Sequence, residues 1–309
     1  MKTITGNEVR KPYAYSGTKV SSIREACDAV PFYIISEPAN CSEAIAKLRN
    51  GRKELENTQN LYRSDTGGLL GQHTPQFTYL QPCDSLQTLE TARALIGGEW
   101  ASVAANKGGR QLMGFISLET TITAPKRGDK IGFSVGYTDF FDGTGKVGLS
   151  LYANVLACDN GMVGTKSLVS FSEKHGRNLA ARAKVMQERL HTNLLLEIGH
   201  TQEIIFTLDN KDMSLSEVEN FAERLFPTDA EEVSTRTKNT REAIVTGFTR
   251  GTGNVGRTRF DAFNSVTEHL DWNSTFRETE YSREENRLDS LINGNGARVR
   301  ARALELLMA

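Results

Sequence analysis

The sequence predicts an α+β fold: an antiparallel β meander followed by a helical C-terminal half. Strand-like runs separated by short turns dominate from about residue 58 to 175. Beyond residue 176 the apolar period changes from two to three or four. Strands come first and helices second, whereas a parallel βαβ fold would alternate them.

The reading divides the chain into an N-terminal arm (1–57), a β-rich core (58–175) and a helical region packed on it (176–309). In the arm, "VPFYIISEP" (30–38) reads as a short strand and "CSEAIAKLRNGRKELE" (41–56) as a helix that Ser42 caps. "LYRSDTGGLLG" follows as a hairpin turning at Asp65–Gly68, then "QFTYLQP" as a strand and "SLQTLETARALI" as a helix opened by Ser85. The meander is "RQLMGFISLETTIT" (110–123), "KIGFSVGYTDF" (130–140) and "KVGLSLYANVLAC" (146–158), broken by the turn formers of "APKRGD" and "FDGTG". In its last strand Val147, Leu149, Leu151, Ala153 and Val155 alternate with Gly148, Ser150, Tyr152 and Asn154, so one face is expected buried and the other available. Leu179, Ala183, Met186, Leu190 and Leu194 then mark a long amphipathic helix. Ser214 and Glu217 have the spacing of a capping box, and further helices are expected at roughly 229–248, 257–271, 283–293 and 296–308.

A chain of 309 residues with 38% hydrophobic and 24% charged residues is that of a globular protein. No apolar run approaches the roughly 18 to 20 residues of a membrane span, and the first residues lack the apolar stretch of a secretory signal. A cytoplasmic protein without membrane contact is expected. Cys27, Cys41, Cys83 and Cys158 are scattered without any C-x-x-C pair, so neither a disulfide framework nor a zinc site is expected. The five histidines lack metal-ligand spacing and read as surface or core residues. The net charge of −1 conceals an asymmetry: residues 101–190 hold 12 Lys and Arg against 7 Asp and Glu. That excess permits a basic face on a neutral protein.

"TRGTGNVGRTRF" (249–260) has the G-x-G-x-x-G spacing at Gly251, Gly253 and Gly256. A dinucleotide fingerprint must follow a strand and open a helix. Here a helical run precedes it, and Asp271, at the distance of a ribose carboxylate, falls at a helix end. NAD is therefore not expected. The loop reads as a helix–helix connection, or as a phosphate contact in which Arg250, Arg257 and Arg259 flank backbone amides at a helix N-terminus.

Four stretches, taken together and in order, resemble a known family. They are "LYRSDTGGLLGQHTPQFTYLQP", "YTDFFDGTGKVGLSLYANVLACDNGM", "GRTRFDAFNSVTEHLDW" and "LINGNGARVRARALELLMA". The chain resembles the domain of unknown function numbered 932, also described as phage/plasmid-like protein, over about residues 58–309. The resemblance implies a mobile-element protein of the bacterial cytoplasm acting in DNA metabolism. The family's usual His before Asp-Gly is Phe141 here, and its usual Asn-Thr after the Cys is replaced by Asp159-Asn160-Gly161, so no catalytic role is carried over to that histidine position. A meander followed by a long helix is also similar to the core of Rad52-type single-strand annealing proteins, a fold-level analogy.

From the residues themselves, Lys107, Arg110, Lys126, Arg127, Lys130 and Lys146 lie in or beside the meander's turns, and Lys166, Lys174, Arg177, Arg182 and Lys184 follow. With Arg257 and Arg259 they form the candidate nucleic-acid-binding set. Cations lining a groove would follow a phosphate backbone, and Tyr137, Phe140, Phe141 and Tyr152 would stack bases. The chain thus reads as a binding protein for single-stranded nucleic acid, in the first place DNA, and as a homo-oligomeric annealing factor. That chemistry requires no cofactor. The alternatives are a metal-dependent nuclease using Asp139, Asp142 and Asp159, with Glu119 a further acidic candidate, or a factor binding a host protein through the helical half. Arg298, Arg300 and Arg302 read as a solvated or partner-facing helix surface.

Overall fold

The computed structural model describes residues 17–40, 54–126, 128, 130–155, 160–162, 170–228, 233–251, 254–292 and 294–309. The described residues begin with β1 (Thr18–Lys19) and α1 (Ile23–Asp28), then β2 (Ile34–Asn40), β3 (Glu54–Arg63) and β4 (Leu69–His73). Helix α2 (Pro82–Ile96) leads into β5 (Glu99–Asn106), β6 (Gln111–Thr123), β7 (Lys130–Phe140), β8 (Val147–Val155), β9 (Asn160–Met162) and β10 (Ser170–Glu173). The second half is helical: α3 (Leu179–Asn210), α4 (Leu215–Leu225), α5 (Thr235–Arg250), α6 (Arg259–Glu268), a π-helical turn (His269–Asn273), α7 (Arg283–Ile292) and α8 (Asn295–Met308). This is the α+β order expected. None of the described helices is long and apolar enough to cross a membrane.

The main sheet runs β1-β5-β6-β7-β8-β10, with β9 also on β8, and its pairings are antiparallel. A smaller antiparallel sheet is β2-β3-β4. Strand β3 crosses residue 57 and ties the preceding β2 into this second sheet. Helix α2 lies on β6 and β7, and α3 lies on α2, β8 and β10. Gly114 of β6 makes the close approach: a Cβ there would meet Leu89 and Leu86 of α2 at 3.0 and 3.1 Å. At the β5–β6 turn α7 docks, where Lys107 pairs with Asp289 and Gln111 donates to the same carboxylate.

Several local expectations are corrected. The face of β8 expected to be available is covered, since Tyr152 is 4% exposed and packs edge-on against Phe115. Tyr137, Phe140 and Phe141 are buried too, so none of these four aromatics offers a face to bases. Strand β5 was not expected; its small residues "SVAA" hide the alternation on which strand reading relies. "QFTYLQP" forms no strand, because side chains take its carbonyls: Gln59 Nε2 donates to the Phe77 oxygen, and His175 Nδ1 meets the Thr78 oxygen. The helix expected over 41–56 lies outside the described residues up to 53, and 54–56 belong to β3.

Cys27 and Cys83, 56 residues apart, form a disulfide between α1 and the start of α2, overturning the expectation of none. Spacing along the chain carries no information about a bridge that tertiary packing brings together. Ser85 does not cap α2. The helix opens on Pro82, with Gln81 at the capping position, which frees Ser85 for another role.

Candidate functional site

Ser85 sits one turn into α2 and points at the C-terminal end of β7. There Asp139, fully buried, accepts hydrogen bonds on Oδ2 from Ser85 Oγ at 2.8 Å and Tyr137 Oη at 3.1 Å. Burial raises the Tyr137 hydroxyl well above the usual tyrosine range, and the Asp139 charge adds to it, so the phenol stays a neutral donor. The other carboxylate oxygen, Oδ1, lies 3.1 Å from His175 Nε2, short of ideal hydrogen-bond alignment. His175 Nδ1 is 2.9 Å from the Thr78 carbonyl oxygen, which can only accept. Nδ1 therefore donates to that oxygen, which holds the ring with Nε2 turned toward Asp139.

The His175 ring is held by stacking as well. Phe77 lies 4.4 Å from it at 18°, and His73 covers the other face of Phe77 at 3.7 Å and 7°. His73 Nε2 contacts the Phe141 carbonyl oxygen at 2.7 Å. The turn that delivers His175 is fixed by Arg182, whose guanidinium bonds the Glu173 carboxylate and the carbonyls of Lys174 and Gly176. Beside the stack opens a cavity of about 370 Å³ lined by Thr74, Gln76, Phe77, His175, Gly176 and Arg177. Of its lining, Arg177 is exposed, and so is Lys174, which precedes His175. Glu173 pairs with Val147 across β8 and β10, so the exposed Lys146 lies at the same edge as Lys174.

The other proposed contacts divide into distinct groups. Lys107, Arg110, Lys126, Arg182 and Arg259 make internal bonds: Lys107 to Asp289, Arg110 to the Leu69 oxygen and the Tyr281 hydroxyl, Lys126 to Asp212, and Arg259 to the Leu307 oxygen. Most of these dock the helical half onto the sheet. Arg127 and Lys166 lie outside the described residues. Lys130 stands at the opposite end of β7, Lys184 on α3 and Arg257 in the α5–α6 loop; all three are exposed and away from the cavity.

The phosphate reading of the glycine loop is corrected. Asp261, within the first turn of α6, accepts from the backbone N–H groups of Val255, Arg257 and Thr258, so a side chain already holds the amides an anion would need. Asp271 pairs with Arg300 in the core, which rules it out as a ribose ligand. The acidic candidates do not converge either. Asp139 belongs to the buried cluster, Asp142 bonds Thr144 within its own turn, Glu119 is exposed on β6, and Asp159 lies outside the described residues. Among the described residues, no group of three His, Cys, Asp or Glu side chains could hold a metal ion.

The residues that sequence reading passed over are His73, Phe77, Ser85 and His175. They come from three separate segments, and no local motif marks them. Burial also holds the His73 and His269 pKa values below the usual histidine range. The unfolded chain therefore binds more protons than the native one as pH falls through about 6.5, and stability falls with it. Thermal melts from pH 7.5 to 5 should show a declining Tm, less steep in His73→Gln. A Tm that rises over that interval contradicts the assignment.

Sheet, helical half and buried His–Asp cluster define an α+β protein with a cationic rim at one end of its sheet. The family model described as Domain of unknown function (DUF932) matches residues 69–292, and the chain belongs to that family. No curated protein and no solved structure matches it.

Proposed function

We propose that the protein binds single-stranded nucleic acid, DNA in the first place, through the cationic rim at the β8–β10 end of the sheet. The reading places it in phage or plasmid DNA metabolism in the bacterial cytoplasm. One observation carries it: Lys146 and Lys174 are exposed at one edge of β8 and β10 and Arg177 is exposed on the cavity wall three residues on, whereas five of the other cations have internal partners. Three cations along one edge suit the regular spacing of phosphates, and Thr74 and Gln76 add polar groups to the wall. The order of meander and long helix suggests an annealing factor of the Rad52 type. Annealing brings two strands together, so self-association of the chain belongs to the same proposal.

The test is retention of a labelled single-stranded oligonucleotide at two salt concentrations, with and without Mg²⁺. Substituting Lys146, Lys174 and Arg177 together by alanine should lower affinity at least tenfold. It should also flatten the log–log salt dependence by about 2, at roughly 0.7 per phosphate contact. A Lys130→Ala/Lys184→Ala control should change neither. Equal retention by the triple variant and the control sinks the rim as the site. Metal-dependent fragments on a denaturing gel would instead favour a nuclease, and no retention even at low salt would favour a protein partner. Light scattering with and without oligonucleotide tests self-association.

A further inference from the structure

We infer that the Cys27–Cys83 bridge is a thiol-exchange site, opened by small dithiols in the folded protein, with Cys83 as the leaving thiolate. Cys27 lies outside the matched family region and Cys83 within it, and the inference is independent of the nucleic-acid reading. Cys83 is exposed and Cys27 half-buried, so solvent thiols reach the bridge without unfolding. The two sulfurs occupy unlike electrostatic environments. Cys83 is the second residue of the 15-residue helix α2, in the turn whose N–H groups point outward. Gln81, at the capping position, does not cap that turn; its side chain bonds both the N–H and the carbonyl of Ile34. The positive end of α2 is thus open to a thiolate at Cys83. Cys27 lies in the last turn of α1, where carbonyls predominate: its own oxygen accepts from Val30 N–H. The neighbouring Asp84 carboxylate opposes the helix end and lessens, without reversing, the preference for charge at Cys83.

A thiolate of the dithiol attacks Cys27 Sγ and forms a mixed disulfide, and the Cys27–Cys83 bond breaks with its electron pair leaving on Cys83. The dithiol's second thiol, deprotonated, attacks its own sulfur in the mixed disulfide and releases Cys27 as a thiolate. The protein gains two electrons and the dithiol becomes a cyclic disulfide. Opening the bridge removes the covalent tie between α1 and α2, the helix on which Ser85 supports Asp139.

The test treats the native protein with dithiothreitol, quenches with iodoacetamide at intervals and maps the modified cysteines by peptide mass spectrometry. Cys27 and Cys83 should both be labelled while the fold persists by circular dichroism. In the reduced protein at pH 7, Cys83 should react about tenfold faster than Cys27. Asp84→Asn should raise the Cys83 rate and leave the Cys27 rate unchanged. Labelling of the pair only after denaturation overturns the inference, as does labelling of both without reductant. Equal or reversed rates, or an Asp84→Asn variant with an unchanged Cys83 rate, overturn the role of Cys83 as leaving thiolate.

Discussion

Arg300→Ala is expected to lower stability by about 3–5 kcal/mol, the usual cost of removing one partner of a buried ion pair. Arg300 is fully buried on α8, and its guanidinium bonds both Asp271 Oδ1 and the Leu291 carbonyl. Both side chains of the pair are at most 2% exposed. Alanine would leave the Asp271 carboxylate in a dry site without its cation, and would open a cavity between the π-helical turn and the last two helices. In a chain of this size the loss should appear as a fall of about 5–10 °C in Tm. The double variant Arg300→Met/Asp271→Leu removes both charges together and should recover most of the loss, because replacing a whole buried pair by apolar groups is often neutral. A single variant that melts like the parent would show that the pair contributes nothing. The neighbouring Arg302, exposed and bonded only to the Arg224 carbonyl among the described contacts, should tolerate alanine within about 0.5 kcal/mol.

Asp139→Ala should cost about 3 kcal/mol or more. Ser85 Oγ, Tyr137 Oη and His175 Nε2 all face this carboxylate, and each would lose its acceptor where water does not replace it. Ser85→Ala and Tyr137→Phe remove one donor each and should cost about 1 kcal/mol apiece. The urea midpoint reads all three. If Asp139→Ala is no worse than Tyr137→Phe, the carboxylate is not the centre of the cluster. Because His175 both faces Asp139 and lines the cavity, the loss should extend to the cavity wall. If the rim binds oligonucleotide as proposed, the same variant should bind it less well than its stability alone would explain, a comparison made well below its Tm.

Much of the architecture could be read from local pattern. The long helix α3, the capping box at Ser214 and Glu217 and the three central strands β6, β7 and β8 all fall where periodicity and turn residues put them. So does the helix–loop–helix reading of the glycine stretch, with Gly256 at φ 70° in its turn. Each of these is decided by residues within a few positions of one another, through side-chain spacing and backbone conformational preference. Strand β5 and the irregular segment at 76–81 escape local reading because their partners are distant: β5 is made a strand by β6, and Phe77 is kept out of a sheet by Gln59, His73 and His175.

The site was less legible still. Lysines and arginines look alike in a sequence, yet Lys107 docks a helix through Asp289, 182 positions away, while Lys174 faces solvent. Arg300 looked like one member of a basic helix surface, and only its neighbours, brought from Asp271 and Leu291, make it a core residue. The sequence by itself determined the α+β order, the meander, the helices and their caps, because those depend on short-range spacing. Tertiary structure alone decided which cations remain exposed, which histidine meets Asp139 and which cysteines join, because each depends on the distance between side chains far apart along the chain.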